Sequence, residues 1–296
     1  MIFKTGTLWE LIVRTTEHAL HNKSLLPVPT KYTFIEDNGI RFLVRILANI
    51  ARKQHSPATR ASKHADPFLP PEKELTVADI SGTHIAVLNK FNVVKHHLLI
   101  ITRQFENQEM LLTPNDFEAL WLCMAEFNGI AFYNGGRTGG ASQSHKHLQI
   151  VPLPLTSDGP AIPIEPVLHQ STANEISIIP RFPFLHFFVR LDKCLASSPY
   201  EASKKTFDLY STILADGGMT TPSTNGLMCQ SFPYCFLITR DWMLLVPRSK
   251  ELFGDISINS LAYAGSFFVQ NEQQLETLKK QGPIKALAGV ALPRRT

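Results

Sequence analysis

Residues 134–149 read NGGRTGGASQSHKHLQ, and they carry the strongest structural signal in the chain. Their four glycines predict a loop whose backbone adopts positive φ values and turns several N–H groups towards one point. Side chains alternate along a strand with period two, so His145, His147 and Gln149 are predicted to lie on one face of the strand that follows. The stretch therefore predicts a glycine loop leading into a strand with two imidazoles and an amide on one surface.

This combination of residue types favours nucleotidyl transfer. A histidine has an ordinary pKa near 6.5, so a neutral imidazole can attack phosphorus at physiological pH and form a covalent phosphoramidate. Gln149 can donate a hydrogen bond to a phosphoryl oxygen without taking up a proton. Ser142, Ser144 and the glycine N–H groups can stabilise charge on the equatorial oxygens of the transition state. The loop is not a P-loop, because no Gly-Lys-Ser/Thr sequence follows it.

Three simpler interpretations remain open on these residues alone. A His-x-His pair on a strand can ligate zinc, although no cysteine cluster offers further ligands. His145 could serve only as a hydrogen-bonding partner of the reacting histidine. The glycines could form only a flexible connection.

Composition and charge narrow the class of protein. The chain has 296 residues, of which 44% are hydrophobic and 18% charged, a globular composition with enough length for two domains. Its formal net charge of +4 is too small to indicate nucleic-acid binding. The four cysteines form no CxxC pair, and no apolar run reaches the roughly 18 residues needed to span a bilayer. We therefore expect a cytoplasmic protein without a nucleic-acid or membrane partner.

Strand and helix signals are interspersed without a regular βαβ rhythm, which predicts an antiparallel α+β architecture. Thr7 and Glu10 have the spacing of a capping box before an amphipathic helix that runs to about His21. Asp37-Asn-Gly39 predicts a hairpin turn, and Thr113-Pro-Asn-Asp116 predicts a helix start. Further strands are predicted at 84–88, 97–102, 131–133, 145–153, 185–191, 234–239 and 242–246, and further helices at 200–214 and 271–281.

Two features indicate that the chain has two parts. The proline-containing stretch 156–175 is the best candidate linker. The strand pair that ends in HHLLIITR resembles the pair within CFLITRDWMLLVPRS, which hints at an internal duplication. We predict an N-terminal catalytic domain at 1–170 and a C-terminal domain at 171–296.

The stretch from Asn134 to Pro154, ending in SHKHLQIVPLP, resembles the signature of the ATP adenylyltransferases, also called diadenosine tetraphosphate phosphorylases, of the histidine-triad superfamily. Four further blocks resemble that family in the same order, so the resemblance covers most of the chain. The HxHxQ motif alone is shared with the galactose-1-phosphate uridylyltransferases, and the tail block ITRDWMLLVPRS (238–249) is more discriminating. These blocks are DPFLPPEKELTV (66–77), LNKFNVVKHHLLIITRQFENQ (88–108), CFLITRDWMLLVPRS (235–249) and SINSLAYAGSFFVQNEQQLETLKKQGP (257–283).

The resemblance implies an α+β protein whose second half is a diverged companion of the first. It also implies roles for individual residues. His147 matches the nucleophile and Gln149 a phosphate-contacting amide, with His145 beside them in the catalytic motif. His97 matches an outer histidine near the nucleophile. The other positions that match substrate contacts are Lys53, Asn89, Lys90, Asn134, Gly140, Ala141, Ser142, Gln143, Asn259, Ser260, Leu261, Ser266 and Gln270.

Several of these positions also have a plainer interpretation. Lys53 belongs to a stretch from Arg41 to Ala65 with six basic residues and no acidic one, which suits either a small anionic ligand or a solvated face. Asn89-Lys90 has the composition of a turn, and Asn259-Ser260 that of a helix cap. At position 270 the resemblance to the family makes a basic residue unsurprising, whereas this chain has a glutamine.

The expected activity is conversion of diadenosine 5′,5‴-tetraphosphate (Ap4A) and phosphate to ATP and ADP through an adenylyl group on His147. The same intermediate would serve a reaction on adenosine 5′-phosphosulfate. The alternatives are a hexose-1-phosphate uridylyltransferase and a nucleotide-binding sensor without turnover. A divalent cation, Mg²⁺ or Mn²⁺, is expected to arrive with the polyphosphate rather than in a protein cage. The expected state is a monomer or a small homo-oligomer that binds nucleotides and phosphate.

Overall fold

The computed structural model describes residues 2–47, 66–168, 173–222 and 228–294. Lys53 lies outside the described residues. The strands are β1 Thr30–Asp37, β2 Ile40–Leu47, β3 Thr76–Asp79, β4 His84–Leu88, β5 Leu98–Thr102, β6 Gly129–Gly135, β7 His147–Pro152, β8 Ile176–Ser177, β9 Phe187–Arg190, β10 Thr220–Pro222, β11 Met228–Gln230, β12 Tyr234–Ile238, β13 Trp242–Pro247, β14 Leu252–Phe253, β15 Ile256–Ser257 and β16 Ser266–Val269. The α-helices are α1 Leu8–His21, α2 Pro114–Met124, α3 Pro199–Asp216, α4 Ser260–Tyr263, α5 Glu272–Gln281 and α6 Pro283–Ala288.

A nine-stranded sheet forms the centre of the molecule. Its strand order is β3-β4-β5-β7-β6-β12-β13-β9-β8. Every neighbouring pair in it is antiparallel. The predicted antiparallel α+β architecture is therefore confirmed.

The sheet has two related halves that meet at the β6–β12 pair. Along the chain, β5, α2, β6 and β7 of the first half correspond to β9, α3, β12 and β13 of the second. Across the sheet, the order β5-β7-β6 is mirrored by β12-β13-β9. The two related halves expected from the sequence are thus present, but the predicted correspondence is wrong: the counterpart of β12–β13 is β6–β7, not the pair β4–β5 that ends in HHLLIITR.

The strand register shows which residues are equivalent in the two halves. His147 on β7 lies opposite Ile101 on β5, as Trp242 on β13 lies opposite Arg190 on β9. Two residues along, Gln149 lies opposite Phe132, as Leu244 lies opposite Leu237. An indole and an aliphatic side chain thus replace the imidazole and the amide, so this strand of the second half carries no equivalent reacting pair.

Each face of the sheet covers a separate hydrophobic core. Leu148 and Ile150 point into one core, which α1, α2 and α3 cover. Phe132 and Leu244 point into the other, which is covered by the three-stranded sheet β1-β2-β16 and by α5 and α6. Both cores contain residues from both halves. The core on the face opposite His147 is close-packed and so supports the strand that carries this residue.

The turn and cap signals predicted two local structures correctly. Asn38 and Gly39 adopt φ values of 49° and 78° between β1 and β2, as the hairpin signal requires. The Thr113 side chain accepts a hydrogen bond from the Asp116 N–H, and the Asp116 carboxylate accepts one from the Thr113 N–H, so α2 begins with a complete capping box.

The predicted capping box of α1 is wrong, although the bounds of the helix are right. Thr7 has a helical backbone with ψ at −12°, and its hydroxyl donates instead to the carbonyl of Lys4. The carboxylate of Glu126 caps the helix from another part of the chain, accepting from the N–H groups of Gly6 (2.8 Å) and Leu8 (3.0 Å). A distant carboxylate thus takes the place of the local side chain.

The proline-containing stretch predicted as a linker is packed into the protein over its described residues. Ile162 and Ile164 are fully buried in the core on the cleft side of the sheet. The domain boundary at residue 170 lies among residues 169–172, outside the described part, and it stays a prediction. Among the described residues, no helix is both long and apolar enough to cross a membrane.

Candidate active site

His147 begins β7 with its ring held in one tautomer. Nδ1 donates to the backbone carbonyl of His145 at 2.7 Å, which leaves the lone pair on Nε2. The ring is buried, and this burial lowers its pKa to about 4, although the hydrogen bond to His145 opposes the shift. The imidazole is therefore neutral at physiological pH and has the protonation state of a nucleophile.

The His147 ring lines a cleft of about 510 Å³. The apolar side chains of Val87, Leu99 and Ile101 form part of its lining, and Phe68 packs edge-on against the His147 ring at 5.2 Å between centroids. The lining also includes polar residues: Asn89, Lys90, Asn134, Gly140, Ser142, Gln143, Gln149 and Asn259. An apolar floor beside a polar loop suits a nucleoside joined to a phosphate.

A second pocket of about 270 Å³ adjoins the cleft and shares Asn89, Phe91, Gln149 and Asn259 with it. His97 lines this second pocket and accepts a hydrogen bond at Nδ1 from the Asn89 amide at 3.2 Å. Burial lowers the pKa of His97 to about 4, despite the neighbouring Gln149 amide. Leu261 and Gln270 complete the predicted residues in this pocket.

His145 lies behind the nucleophile, with both ring nitrogens engaged. Nδ1 is 2.6 Å from a carboxylate oxygen of Asp66, and Nε2 is 2.9 Å from the carbonyl oxygen of Thr102. The Thr102 hydroxyl also lies 2.8 Å from Nε2, so both ring nitrogens have hydrogen-bonding partners within the protein. Neither nitrogen is available to a zinc ion or to phosphorus. His145 thus contacts His147 through its backbone carbonyl. This agrees with the simpler interpretation of His145, that of a hydrogen-bonding partner of the reacting histidine.

Asn134 and Ser260 act as a pair across the two halves. The Asn134 side-chain oxygen accepts from the N–H of Ser260 (2.9 Å) and from its hydroxyl (2.7 Å). Ser260 is fully buried and lines neither pocket, so the predicted substrate contact at this position becomes an orienting contact. Asn259 has both of its predicted roles: it caps α4 through the Leu261 N–H and it lines both pockets.

Some of the remaining residues that were predicted to contact substrate line the cleft, and others lie outside it. Lys90 lines the cleft and forms an ion pair with Glu72 at 2.7 Å. Asn89 has the turn contact as well, accepting from the Phe91 N–H. Ala141 lines a neighbouring pocket that shares Ser142 and Gln143 with the cleft, and Ser266 is buried in β16 away from the cleft and the second pocket.

The glycine loop is shaped by a close contact with the second half. Gly140 has a φ of +98°, and a Cβ atom there would lie 2.9 Å from Cα of Asn259 and from the Ile258 carbonyl oxygen. The residue is therefore required for packing as well as for backbone conformation. This contact brings the loop and Asn259 together at the cleft.

Sequence reasoning missed three buried polar residues that hold the site. Arg248 is 1% exposed and donates to the carbonyl oxygens of Ile258 (2.8 Å) and Gly139 (3.4 Å), which joins the tail block to the glycine loop. Gln108 bonds the backbone of His147. Lys146 points away from the cleft and pairs with Asp116 at 2.6 Å.

Of these three residues, only Lys146 could have been found from the sequence. Strand alternation places it on the core side, where a charge requires a partner. That partner, Asp116, has its pKa lowered to about 2, because the hydrogen bond from His84 and the charge of Lys146 outweigh its burial.

Two family models match this chain. Residues 1–170 match the Ap4A phosphorylase N-terminal domain, and residues 180–293 match the ATP adenylyltransferase C-terminal domain. The chain is 28% identical over 264 residues to diadenosine 5′,5‴-P1,P4-tetraphosphate phosphorylase 2 of Saccharomyces cerevisiae, which covers 80% of this chain and 79% of that protein.

Two solved structures share the fold over the whole chain. The crystal structure of yeast Ap4A phosphorylase Apa2 matches with a TM-score of 0.80 at 25% identity, covering 100% of this chain and 97% of that one. A structure of the same yeast enzyme in complex with Ap4A has a TM-score of 0.80 at 22% identity and covers 100% of both chains.

The two matched domains together take in the strand that carries His147 and the loop that supplies Asn259. The resemblance seen in the sequence motifs is thereby confirmed, and the chain belongs to the Ap4A phosphorylase family.

Proposed function

We propose that this protein converts Ap4A and phosphate to ATP and ADP through an adenylyl group carried on Nε2 of His147. The observation that carries the proposal is the single tautomer of a buried, neutral imidazole at the edge of a nucleoside-sized cleft. Membership of the Ap4A phosphorylase family supports the choice of substrate.

The chemistry has two displacements at one phosphorus atom. Nε2 attacks the phosphorus nearest one adenosine, and the bond to the bridging oxygen breaks, so ATP leaves and AMP stays on the ring. An oxygen of phosphate then attacks the same phosphorus, the P–N bond breaks, and ADP leaves. Throughout both steps the Nδ1–H bond to the His145 carbonyl is kept, and it stabilises the positive charge of the adenylylated ring.

The surroundings of the nucleophile supply no acid catalyst near pH 7. Gln149 is an amide and cannot move a proton, and His97 has a pKa of about 4 and stays neutral near pH 7. Neither group supplies acid catalysis at that pH, and the polyphosphate leaving group requires little, because it departs as a stable anion.

The proposal includes partners that the family alone does not specify. Phosphate is the second substrate, and a divalent cation binds with the polyphosphate chain, since Mg²⁺ is ordinarily held by substrate phosphates and few protein ligands. The protein acts as a monomer or a small homo-oligomer. Reaction on adenosine 5′-phosphosulfate, with sulfate as the leaving group, uses the same intermediate.

The test is incubation of the purified protein with Ap4A in the presence and absence of phosphate, with nucleotides separated by chromatography. We expect equal amounts of ATP and ADP with phosphate, and with phosphate omitted one adenylyl group on the peptide that contains His147. Nucleotide binding without any product would favour the sensor alternative. Transfer of a uridylyl group from UDP-glucose, with no reaction of Ap4A, would favour the uridylyltransferase alternative.

A further inference from the structure

The strand pair β6–β7 is interrupted at the nucleophile. Its ladder pairs Phe132 with Gln149, and the same register would place Asn134 opposite His147. Direct pairing of those two residues is not part of the ladder, because the glycine loop begins and ends here. Their backbone groups therefore need other partners.

The side chain of Gln108 supplies those partners. Its Oε1 accepts from the N–H of His147 at 2.7 Å, and its Nε2 donates to the carbonyl oxygens of Asn134 (2.9 Å) and His147 (3.2 Å). The residue is 1% exposed, so no water competes for these bonds. One side-chain amide thus takes the place of the missing backbone hydrogen bonds between β6 and β7.

The backbone of Gln108 is also tied to the same loop. Its N–H donates to the carbonyl of Ser144, and its carbonyl accepts from the N–H of Gly136 and from the Tyr133 hydroxyl. Both ends of the glycine loop and both strands that flank it therefore meet at one residue.

We propose that Gln108 is the positioning residue for the nucleophile: it sets the backbone of His147 so that the ring reaches the His145 carbonyl and keeps its single tautomer. The catalytic part of this inference rests on the proposed function. Only an amide meets the requirement, because one acceptor and two donors are needed at once. A carboxylate would turn a second oxygen towards two carbonyl oxygens, and a thioether would leave all three backbone groups unpaired.

The experiment compares Gln108→Met and Gln108→Glu with Gln104→Met, a glutamine exposed on the same loop. We expect kcat and the rate of adenylyl-enzyme formation to fall about 100-fold in both Gln108 variants, as displacement of a reacting group by about 1 Å commonly causes. KM for Ap4A should change less than threefold, since the cleft lining is not altered. Gln104→Met should behave as wild type.

A second readout needs no substrate. Histidine labelled with ¹⁵N gives two-bond NMR correlations that report which ring nitrogen carries the proton, and the His147 signals are identified by their loss in His147→Ala. We expect the wild-type protein to show the Nδ1–H form alone and Gln108→Met to show mixed tautomers. This separates the two hypotheses: failure of wild type to cleave Ap4A refutes the proposed function and leaves the positioning role to be judged by NMR.

A variant with a matched loss of stability controls for a merely structural effect. Leu209→Ala removes a buried side chain of α3 on the far face of the sheet. If Leu209→Ala lost as much kcat as Gln108→Met at equal stability, or if Gln108→Met kept both the single tautomer and kcat within threefold of wild type, the positioning role would be wrong.

Discussion

His147 owes its reactivity to its backbone surroundings more than to other side chains. A carbonyl oxygen two residues away in the same chain fixes its tautomer, and burial keeps it neutral. The acceptor is a backbone atom, and His186 makes the same contact with the carbonyl of Phe184, so the contact depends on the local backbone rather than on the side chain at position 145. The chemistry of the site therefore depends on the immediate surroundings of this one residue.

Replacement of His147 by alanine should abolish turnover and leave nucleotide binding largely intact. The adenylyl acceptor is lost, whereas the apolar floor of the cleft at Val87, Leu99 and Ile101 is kept. Phosphorolysis would be measured by chromatography and Ap4A binding by calorimetry. Retention of more than a small fraction of wild-type phosphorolysis would show that another group is the nucleophile.

Because the pKa of His147 is low, the rate of adenylylation should stay constant down to an unusually low pH. Nε2 attacks only when unprotonated, and its pKa of about 4 keeps it so well below pH 6.5. The single-turnover rate, measured by pH-jump mixing and acid quench of labelled enzyme, should be flat from pH 7 to about 5 and fall below that. Loss of half the rate near pH 6.5 would contradict the buried, neutral ring.

Replacement of Gln149 by histidine should raise the ratio of hydrolysis to phosphorolysis. An imidazole can donate a proton to the leaving group or activate water, which the amide cannot do. AMP should then appear beside ADP in reactions that contain phosphate. Equal loss of both products, without AMP, would mean that Gln149 only positions the phosphate.

At the scale of elements, local signals located helices and strands better than they located the contacts that end them. The hairpin at Asn38-Gly39 and the capping box at Thr113 follow from neighbouring residues alone. The start of α1 does not, because Glu126 lies far along the chain and reaches the helix only once α1 packs beside the end of α2.

Replacement of Glu126 by alanine should therefore cost about 1 kcal/mol of unfolding free energy, the usual value of a helix cap. Thr7→Ala is the matched control and should cost clearly less, since the Thr7 side chain makes no cap hydrogen bond. Urea denaturation would give both values, and kcat should be unchanged in both variants. A larger loss for Thr7→Ala than for Glu126→Ala would restore the capping box predicted from sequence.

At the scale of the whole molecule, the site depends on contact between the two halves. Ser260 orients Asn134, Arg248 joins the Gly139 and Ile258 carbonyls, and Gly140 packs on Asn259. The first half supplies the nucleophile and the second half supplies supports for the loop beside it. The second half has Trp242 and Leu244 at the positions equivalent to His147 and Gln149, so it contributes to the site through these supporting contacts rather than through a reacting pair.

Replacement of Gly140 by alanine should raise KM for Ap4A at least tenfold, because its Cβ would push on the backbone of Asn259, which a flexible side chain cannot relieve. Gly218→Ala is the control: that residue also has a positive φ, of +60°, but nothing lies within 4 Å of its Cβ position. Gly218→Ala should lose about 1 kcal/mol of stability from backbone strain, and Gly140→Ala should lose more, because its Cβ also presses on backbone atoms. If both left KM unchanged, the contact with Asn259 would have no part in binding.

The sequence by itself determined the α+β class, the position of most elements, the presence of two related halves and the face shared by His147 and Gln149. These follow from period-two alternation, turn chemistry and caps, which act between residues close in the chain. The tertiary structure alone decided that Ser260 orients Asn134, that Glu126 caps α1 and that Gln108 completes the sheet. Each of those contacts joins residues at least 26 positions apart, so it forms only after distant parts of the chain have packed, and only the contact of Ser260 with Asn134 requires the two halves to meet.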